Sequence, residues 1–452
     1  MRLIDSLATT EELAKLFSDE SLLEAMLQFE VALARVEARI GIIPQIAAEK
    51  IAAAAKPELF DTAILAIDSL RAGTPAIPFV KALRERVHVA DPVSANFVHW
   101  GATSQDVVDT AMVLLLKQTQ PGFETNLKRL EKSLRQLSDK HAHTVMLGRT
   151  LMQPAPPITF GLKAAAWLGA IYRAHNKLKD NFTDALILQC GGASGTLAFL
   201  GDNGIAVGQA LAEDLGLAYP EAPWHTQRDR LAALMCACGV LTGSLAKMAR
   251  DISLLAQSEI REVAEGETSG RGGSSTMPHK HNPIGCMLTL TAANRVPNLV
   301  AAFLSGMVQE HERGAGGWQA EWPTVVAIIQ ATGLAIDSMA EVAEGLIVDP
   351  ARMRFNIDAT HGVIFAENAM MILSPRIGRE AAHKLLEDAA RRAVSECRRL
   401  SEILAEMPEV TRYLDAANLS DLEVSELYIG VAEQFRQRLL LSSTPDLRSK
   451  KE

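Results

Sequence analysis

The chain has 452 residues, 45 Lys+Arg against 54 Asp+Glu for a formal net charge of −9, and a 48% hydrophobic share. An apolar share that large builds a sizeable core and excludes disorder as the main state. The acidic balance, with no basic block, excludes a nucleic-acid binder, whose phosphate partner needs a positive face. Aromatics at 5%, among abundant Ala, Leu, Glu and Arg, point to long helices rather than a β sandwich.

The opening, MRLIDSLATTEELAK, has no apolar core region and meets acids within a few residues, so no export signal is visible and the chain reads as cytoplasmic. From Leu22, the residues Met26, Phe29, Leu33, Val36 and Ile40 recur at steps of four and three, with Asp19 and Glu20 at the start and Gly41 and Pro44 at the end. That spacing predicts an amphipathic helix with its dipole complemented. A boundary is expected near Thr110, before a helix resumes over 112–117. Pro121-Gly122 should break it ahead of the seam Leu127, Leu130, Leu134, Leu137. Pro154, Pro156 and Pro157 interrupt the chain after Gly148-Arg149-Thr150.

The longest seam is Leu234, Cys238, Leu241, Leu245, Met248, Ile252, Leu255. No proline lies between Arg228 and Glu265, which predicts a helix of roughly 50 Å. Its uncharged stretch, 231–246, falls short of the roughly 20 residues of a membrane span and reads as a buried core helix. Leu231, Val240 and Leu254 lie off the seam, and a second apolar face of this kind is often buried against another subunit. The stretch from Gly266 to Pro283 is a Gly/Ser/Pro-rich loop. A further seam runs Ile329, Thr332, Ile336, Met339, Ala343, Leu346, until Val348-Asp349-Pro350 introduces smaller helices. The fold class expected is all-α, in an N-terminal helical domain (1–110), a central long-helix bundle (111–348) and a C-terminal helical domain (349–452). Cys190, Cys236, Cys238, Cys286 and Cys397 are an odd, scattered set, read as reduced thiols. His141-x-His143 and His279-x-His281 lack a third ligand at suitable spacing, so no metal site is expected.

The loop 270–283, Gly-Arg-Gly-Gly-Ser-Ser-Thr-Met-Pro-His-Lys-His-Asn-Pro, carries the chemistry. It approaches a helix start, where free backbone N–H groups stabilise anions. A serine among such groups, with an ammonium nearby, has its alkoxide stabilised enough to exchange protons with carbon.

GSSTMPHKHNP, with HWGATSQDVVDT at 99–110 and GRTLMQPAPPITFG at 148–161, resembles the three active-site regions of the fumarase/aspartase superfamily, which includes adenylosuccinate lyase and argininosuccinate lyase. The resemblance covers essentially the whole chain. It implies a cofactor-free homotetramer with a central bundle of long helices and active sites each built from three subunits. It also implies that Ser274 exchanges the proton beside a substrate carboxylate, while Lys280 and Asn282 bind that carboxylate and stabilise its aci form. Thr103, Ser104, Thr150 and Gln153 then fall where substrate carboxylates are hydrogen-bonded, with Ser275 and Met277 in the loop. Gln227 and Arg228 of TQRDR, Arg313 of HERGAGGW, Arg149 and His99 are further substrate-binding candidates.

The chain departs from its relatives at two linked places. Adenylosuccinate lyases read Arg-Thr-His in the second region, and that histidine protonates the leaving amine; this chain reads Arg149-Thr150-Leu151. The glutamate that orients the histidine, five residues after the loop asparagine, is Met287 here. An amine must be protonated before it leaves, whereas a carboxylate, with a pKa of about 4, needs no proton at neutral pH. The double loss therefore fits a reaction whose nucleophile or leaving group is a carboxylate, such as lactone formation from a muconate. MLQFEVALARVEARIGIIP, the RTLMQPA variant and EHERGAGGWQAEWP at 310–323 resemble the 3-carboxy-cis,cis-muconate cycloisomerase branch of the superfamily. That branch implies a tricarboxylate substrate closed to 4-carboxymuconolactone in the protocatechuate branch of aromatic catabolism. The alternative is an adenylosuccinate-type C–N lyase releasing fumarate, which would need another proton donor. A silent helical oligomer is disfavoured by the intact Ser274, Lys280 and Asn282, and a coiled-coil scaffold by the proline-rich loops.

Overall fold

The protein is described from a computed structural model covering residues 3–266, 272, 273, 277 and 280–444. It is an all-α molecule, as its composition leads one to expect, with two short two-stranded ladders among the described residues. The chain divides into two compact units. One comprises Met1–Leu127, Ala174–Leu245 and Leu288–Ser338; the other comprises Lys128–Arg173, Ala246–Met287 and Met339–Glu452.

Helix α1 (Asp19–Ile40) follows its sequence signals at both ends. The Ser18 hydroxyl accepts the Ser21 N–H at 3.3 Å, and Gly41 closes the helix at φ +87°. Met26, Phe29, Leu33 and Val36 are all buried. Helix α2 (Ser104–Lys140) differs from expectation: it is already helical at Thr110 and runs unbroken through Pro121. Proline inside a helix costs about 3 kcal/mol. Here Val107, Ala111, Leu114 and Leu116 before it, and Leu127, Leu130 and Leu134 after it, are buried, and a burial stripe that long outweighs the local penalty.

The three prolines expected to interrupt the chain instead lie in a hairpin of β1 (Val145–Thr150) and β2 (Gln153–Thr159). Strand β2 has a neighbour on one side only, an edge position that tolerates proline, and the pairing is irregular opposite Pro156 and Pro157. A Cβ at Gly148 would collide with the Pro156 carbonyl, so this position accepts glycine alone. After α3 (Phe160–Ala185), helix α4 (Asp229–Leu255) is 27 residues long, about 40 Å rather than 50. Beyond Leu255 the chain turns back, and β3 (Val263–Ala264) pairs with β4 (Ile347–Val348). Every predicted seam residue of α4 is buried, while off the seam Leu231 is buried and Val240 is 64% exposed.

Helix α5 (Ile284–Ser305) follows the loop, and α6 (Gly317–Gly345) buries Ile329, Thr332, Ile336, Met339 and Ala343. By length and composition α4 and α6 could each cross a membrane, but most of the apolar stretch of each is buried inside the molecule. Beyond Pro350 the smaller helices form their own core around Leu373, Leu386, Ala389, Ile403 and Leu404. All five cysteines are free thiols, with only Cys397 exposed. Among the described residues no cluster of three His, Cys, Asp or Glu is placed to hold a metal ion.

Candidate active site

The candidate residues fall in both units. In the first, the segment 98–103 leads into α2 and is shaped by two left-handed positions, His99 at φ +60° and Gly101 at φ +71°. A non-glycine residue at positive φ is held there only when its surroundings over-determine it. For His99 the determinant is Glu30 of α1: its carboxylate lies 2.6 Å from Nδ1, with Glu30 1% and His99 16% exposed. Burial alone would lower the His99 pKa, but the charges of Glu30 and Asp106 more than offset it and hold it above the ordinary value.

Asp106, fully buried in the first turn of α2, organises the neighbourhood. Its Oδ2 accepts the N–H groups of Thr103 (3.1 Å) and Gly192 (2.9 Å), and its Oδ1 accepts Gly191 N–H (3.0 Å) and lies 2.8 Å from His225 Nε2. Gly191 and Gly192 are backbone-critical. A Cβ on the first would lie 2.7 Å from the His225 ring, and the second adopts φ +67°. This brings the 191–195 loop beside Thr103. There Arg313 donates from Nη1 to Thr103 Oγ1 (2.9 Å) and from Nη2 to Ala193 O (3.0 Å). Ser104 is half-buried and Gln227 exposed. Trp100 packs between Phe97 and Phe199, as a stacking rather than a polar residue.

Arg228 lies beside this group but is not open to a ligand. It is 2% exposed, its Nη1 and Nη2 donate to Asp109 (2.7 and 3.1 Å), and its Nε and Nη2 donate to Glu321 (3.0 and 2.6 Å). The Trp224 ring covers its guanidinium at 4.6 Å, and Trp318 donates to Asp109 at 2.9 Å. Its guanidinium stays charged because the two carboxylates more than offset the burial.

In the second unit, Arg149 on β1 forms a fork–fork pair with the fully buried Glu262 (2.7 and 2.9 Å), which Asn356 also contacts at 2.8 Å. Thr150 and Gln153 are paired across the hairpin turn and exposed. Between them Leu151 and Met152 occupy both turn positions at φ +48° and +67°, 97% and 69% exposed. Turns of this kind favour Asn-Gly, so two bulky apolar residues there carry strain. Met287, which stands where relatives keep the orienting glutamate, is 45% exposed in the first turn of α5.

The catalytic loop is described only in part. Ser274 and Ser275 lie outside the described residues. Of the remainder, Met277 and Lys280 are exposed and Asn282 is half-buried, with Asn282 N–H donating to Gly272 O at 2.9 Å. One expectation needs correction: the amides at the start of α5 are not open to an anion. Glu265 already takes them, accepting Gly285 N–H at 3.1 Å and Cys286 N–H at 2.9 Å. Charge at this site must therefore come from side chains such as Lys280. Sequence reasoning missed Glu30, Asp106, His225 and Glu265. Asp106 and Glu30 each stood inside a stretch quoted for the resemblance, HWGATSQDVVDT and MLQFEVALARVEARIGIIP, while Glu265 gave no signal beyond its loop position.

This all-α fold, with three motif regions of polar donors, defines a lyase of the fumarase type, and the comparisons agree: residues 7–298 match the Lyase family model and 362–439 the adenylosuccinate lyase C-terminus. The chain belongs to that family. Within it, a 3-carboxy-cis,cis-muconate cycloisomerase of Bradyrhizobium diazoefficiens is 46% identical over 428 residues, 95% of either chain. A protein of the same name from Pseudomonas aeruginosa is 45% identical, over 97% of this chain and 96% of its own. The crystal structure of the 3-carboxy-cis,cis-muconate lactonizing enzyme from Pseudomonas putida aligns with a TM-score of 0.91 at 43% identity, covering 98% of this chain and 99% of that one.

Proposed function

We propose that this chain is a 3-carboxy-cis,cis-muconate cycloisomerase, closing its tricarboxylate substrate to 4-carboxymuconolactone in the protocatechuate branch of aromatic catabolism. The observation that carries the reading is the apolar pair Leu151 and Met287 at positions where amine-releasing relatives keep an imidazole and a carboxylate, in a chain related to cycloisomerases over nearly its full length. One substrate carboxylate forms the C–O bond to the conjugated alkene. The π electrons pass into a second carboxylate as its aci form, and the hydroxyl proton of Ser274 goes to the carbon beside it. Ser274 is then reprotonated from solvent, so the reaction takes up one proton and changes no other atom count. Lys280 and Asn282 hold the aci-carboxylate. His99, Thr103, Ser104, Arg149, Thr150, Gln153, Gln227, Ser275, Met277 and Arg313 bind the rest of the substrate, and Arg228 supports the frame.

The enzyme works without cofactor in the cytoplasm as a homotetramer, with three subunits contributing to each site. In the proposed division into 1–110, 111–348 and 349–452, the first motif region falls in 1–110, whose end lies within α2, and the other two fall in 111–348. The exposed Leu151 tip and exposed Val240 support a partner subunit. In the test, purified protein is mixed with authentic 3-carboxy-cis,cis-muconate and followed by ultraviolet absorbance with product analysis. Lactone formation, abolished in Ser274→Ala with the oligomer intact, is expected. Fumarate release from adenylosuccinate in its place would overturn the reading.

A further inference from the structure

The His99 ring is gripped on one side only. Its Nδ1 meets Glu30, and no partner to Nε2 lies among the described residues. It begins the loop that also presents Thr103 with Arg313 attached, so a cationic donor at His99 would stand with another cation and a hydroxyl at the site of a trianionic substrate. We infer that Glu30 is a positioning residue of this site. From α1 it holds the imidazole by Nδ1–H, so that Nε2–H is presented as a cationic donor to one substrate carboxylate.

Three features support this. First, the pair is buried on the Glu30 side, where a charge-assisted hydrogen bond is strong and orientation is fixed. Second, His99 keeps a positive φ of +60°, a conformation that persists only where the surroundings over-determine it, as the Glu30 contact does. Third, α1 carries another acid two turns on. Glu37 is fully buried, and neither of its oxygens has a hydrogen-bond partner. Burial and the nearby Glu30 charge push the Glu37 pKa up to about 9, so Glu37 stays neutral. The charged groups that act on His99 among the described residues are Glu30 from α1 and Asp106 from α2, which is itself bonded to His225. Cys190 is kept a thiol by burial first and then by the nearby Asp106 charge. The net surroundings are anionic and favour imidazolium.

The inference rests on the proposed reaction for the identity of the substrate, and its test has one arm that does not. Histidine-labelled protein is titrated by NMR, with the His99 signal assigned by its loss in His99→Gln. Glu30→Gln should lower the midpoint of that signal by a pH unit or more. In the kinetic arm, KM for 3-carboxy-cis,cis-muconate should rise about tenfold per unit above the His99 midpoint, and this rise should begin at lower pH in Glu30→Gln and vanish in His99→Gln. An unmoved NMR midpoint in Glu30→Gln overturns the pairing. A moved midpoint with an unmoved KM profile overturns the contact with substrate. If no turnover is seen in any variant, the proposed reaction fails, while the NMR arm still decides the pairing.

Discussion

Replacing Arg228 would leave Asp109 and Glu321 buried without a counter-charge, and removing one partner of such a cluster typically costs 3–5 kcal/mol. Arg228→Met is therefore expected to lose about that much stability in a denaturant titration. Arg313 is half-buried at the edge of a loop and holds Thr103 and two backbone carbonyls. Arg313→Met should keep its unfolding midpoint and raise KM by roughly 10- to 100-fold, the value of one charged hydrogen bond. The reverse pattern would exchange their roles. Glu37 gives a second test. Its ordinary pKa of 4.5 rises to about 9 on folding, so between these values the native state keeps a proton that the unfolded chain releases. Its stabilising contribution is whole below the lower value and drains away as pH climbs through the window, by roughly 1.4 kcal/mol per unit. Glu37→Gln should flatten the dependence of stability on pH across that range. An unchanged slope in chemical denaturation would mean that Glu37 is charged in the native state.

The hairpin tip is where an element gives up stability for position. Leu151 and Met152 both adopt the left-handed region, at about 1–2 kcal/mol each for an L residue. Converting the pair to Asn-Gly should raise the melting temperature by a few degrees and reduce kcat/KM, measured on the same preparation; a gain in both would remove the tip from function. Leu151→His should not create amine release, because Met287 cannot orient the new ring. How legible such elements are depends on how local their causes are. Helix α1 could be read from its stripe, its acidic first turn and its Gly41 stop, all of which lie in or next to it; the Ser18 cap came only from the structure. Pro121 misled because its penalty is local, whereas what overrides it is burial spread along the whole of α2. Glu30 hid on a buried stripe because its partner is 69 residues away, and periodicity carries no record of distant partners. The three site motifs were legible because each keeps its donors contiguous; the donors that Glu265 consumes were not, since a helix start looks open until its cap is seen.

For the molecule as a whole, the candidate residues are divided between two units, each stabilised by its own network: Asp106, Arg228 and their partners in the first, Arg149 and Glu262 in the second. Four chains of 48.8 kDa should elute as one species in light scattering, independent of substrate. A monomer with full turnover would contradict the proposed three-subunit site.

The residues on either side of the segment that holds Ser274 are pinned to the frame and to one another. On the entry side Val263 and Ala264 are laced to Val348 and Ile347, and a Cβ on Gly266 would lie 2.5 Å from the Gly345 carbonyl. On the exit side Glu265 is bolted to Gly285 and Cys286. Closing a loop whose ends are already pinned adds only a slowly growing entropy with length. Exchanging the stretch from 267 to 283 for that of a relative, with the flanking residues kept, should therefore let the helical frame refold with unchanged cooperativity, while the chemistry performed stays with Leu151 and Met287, which lie outside it.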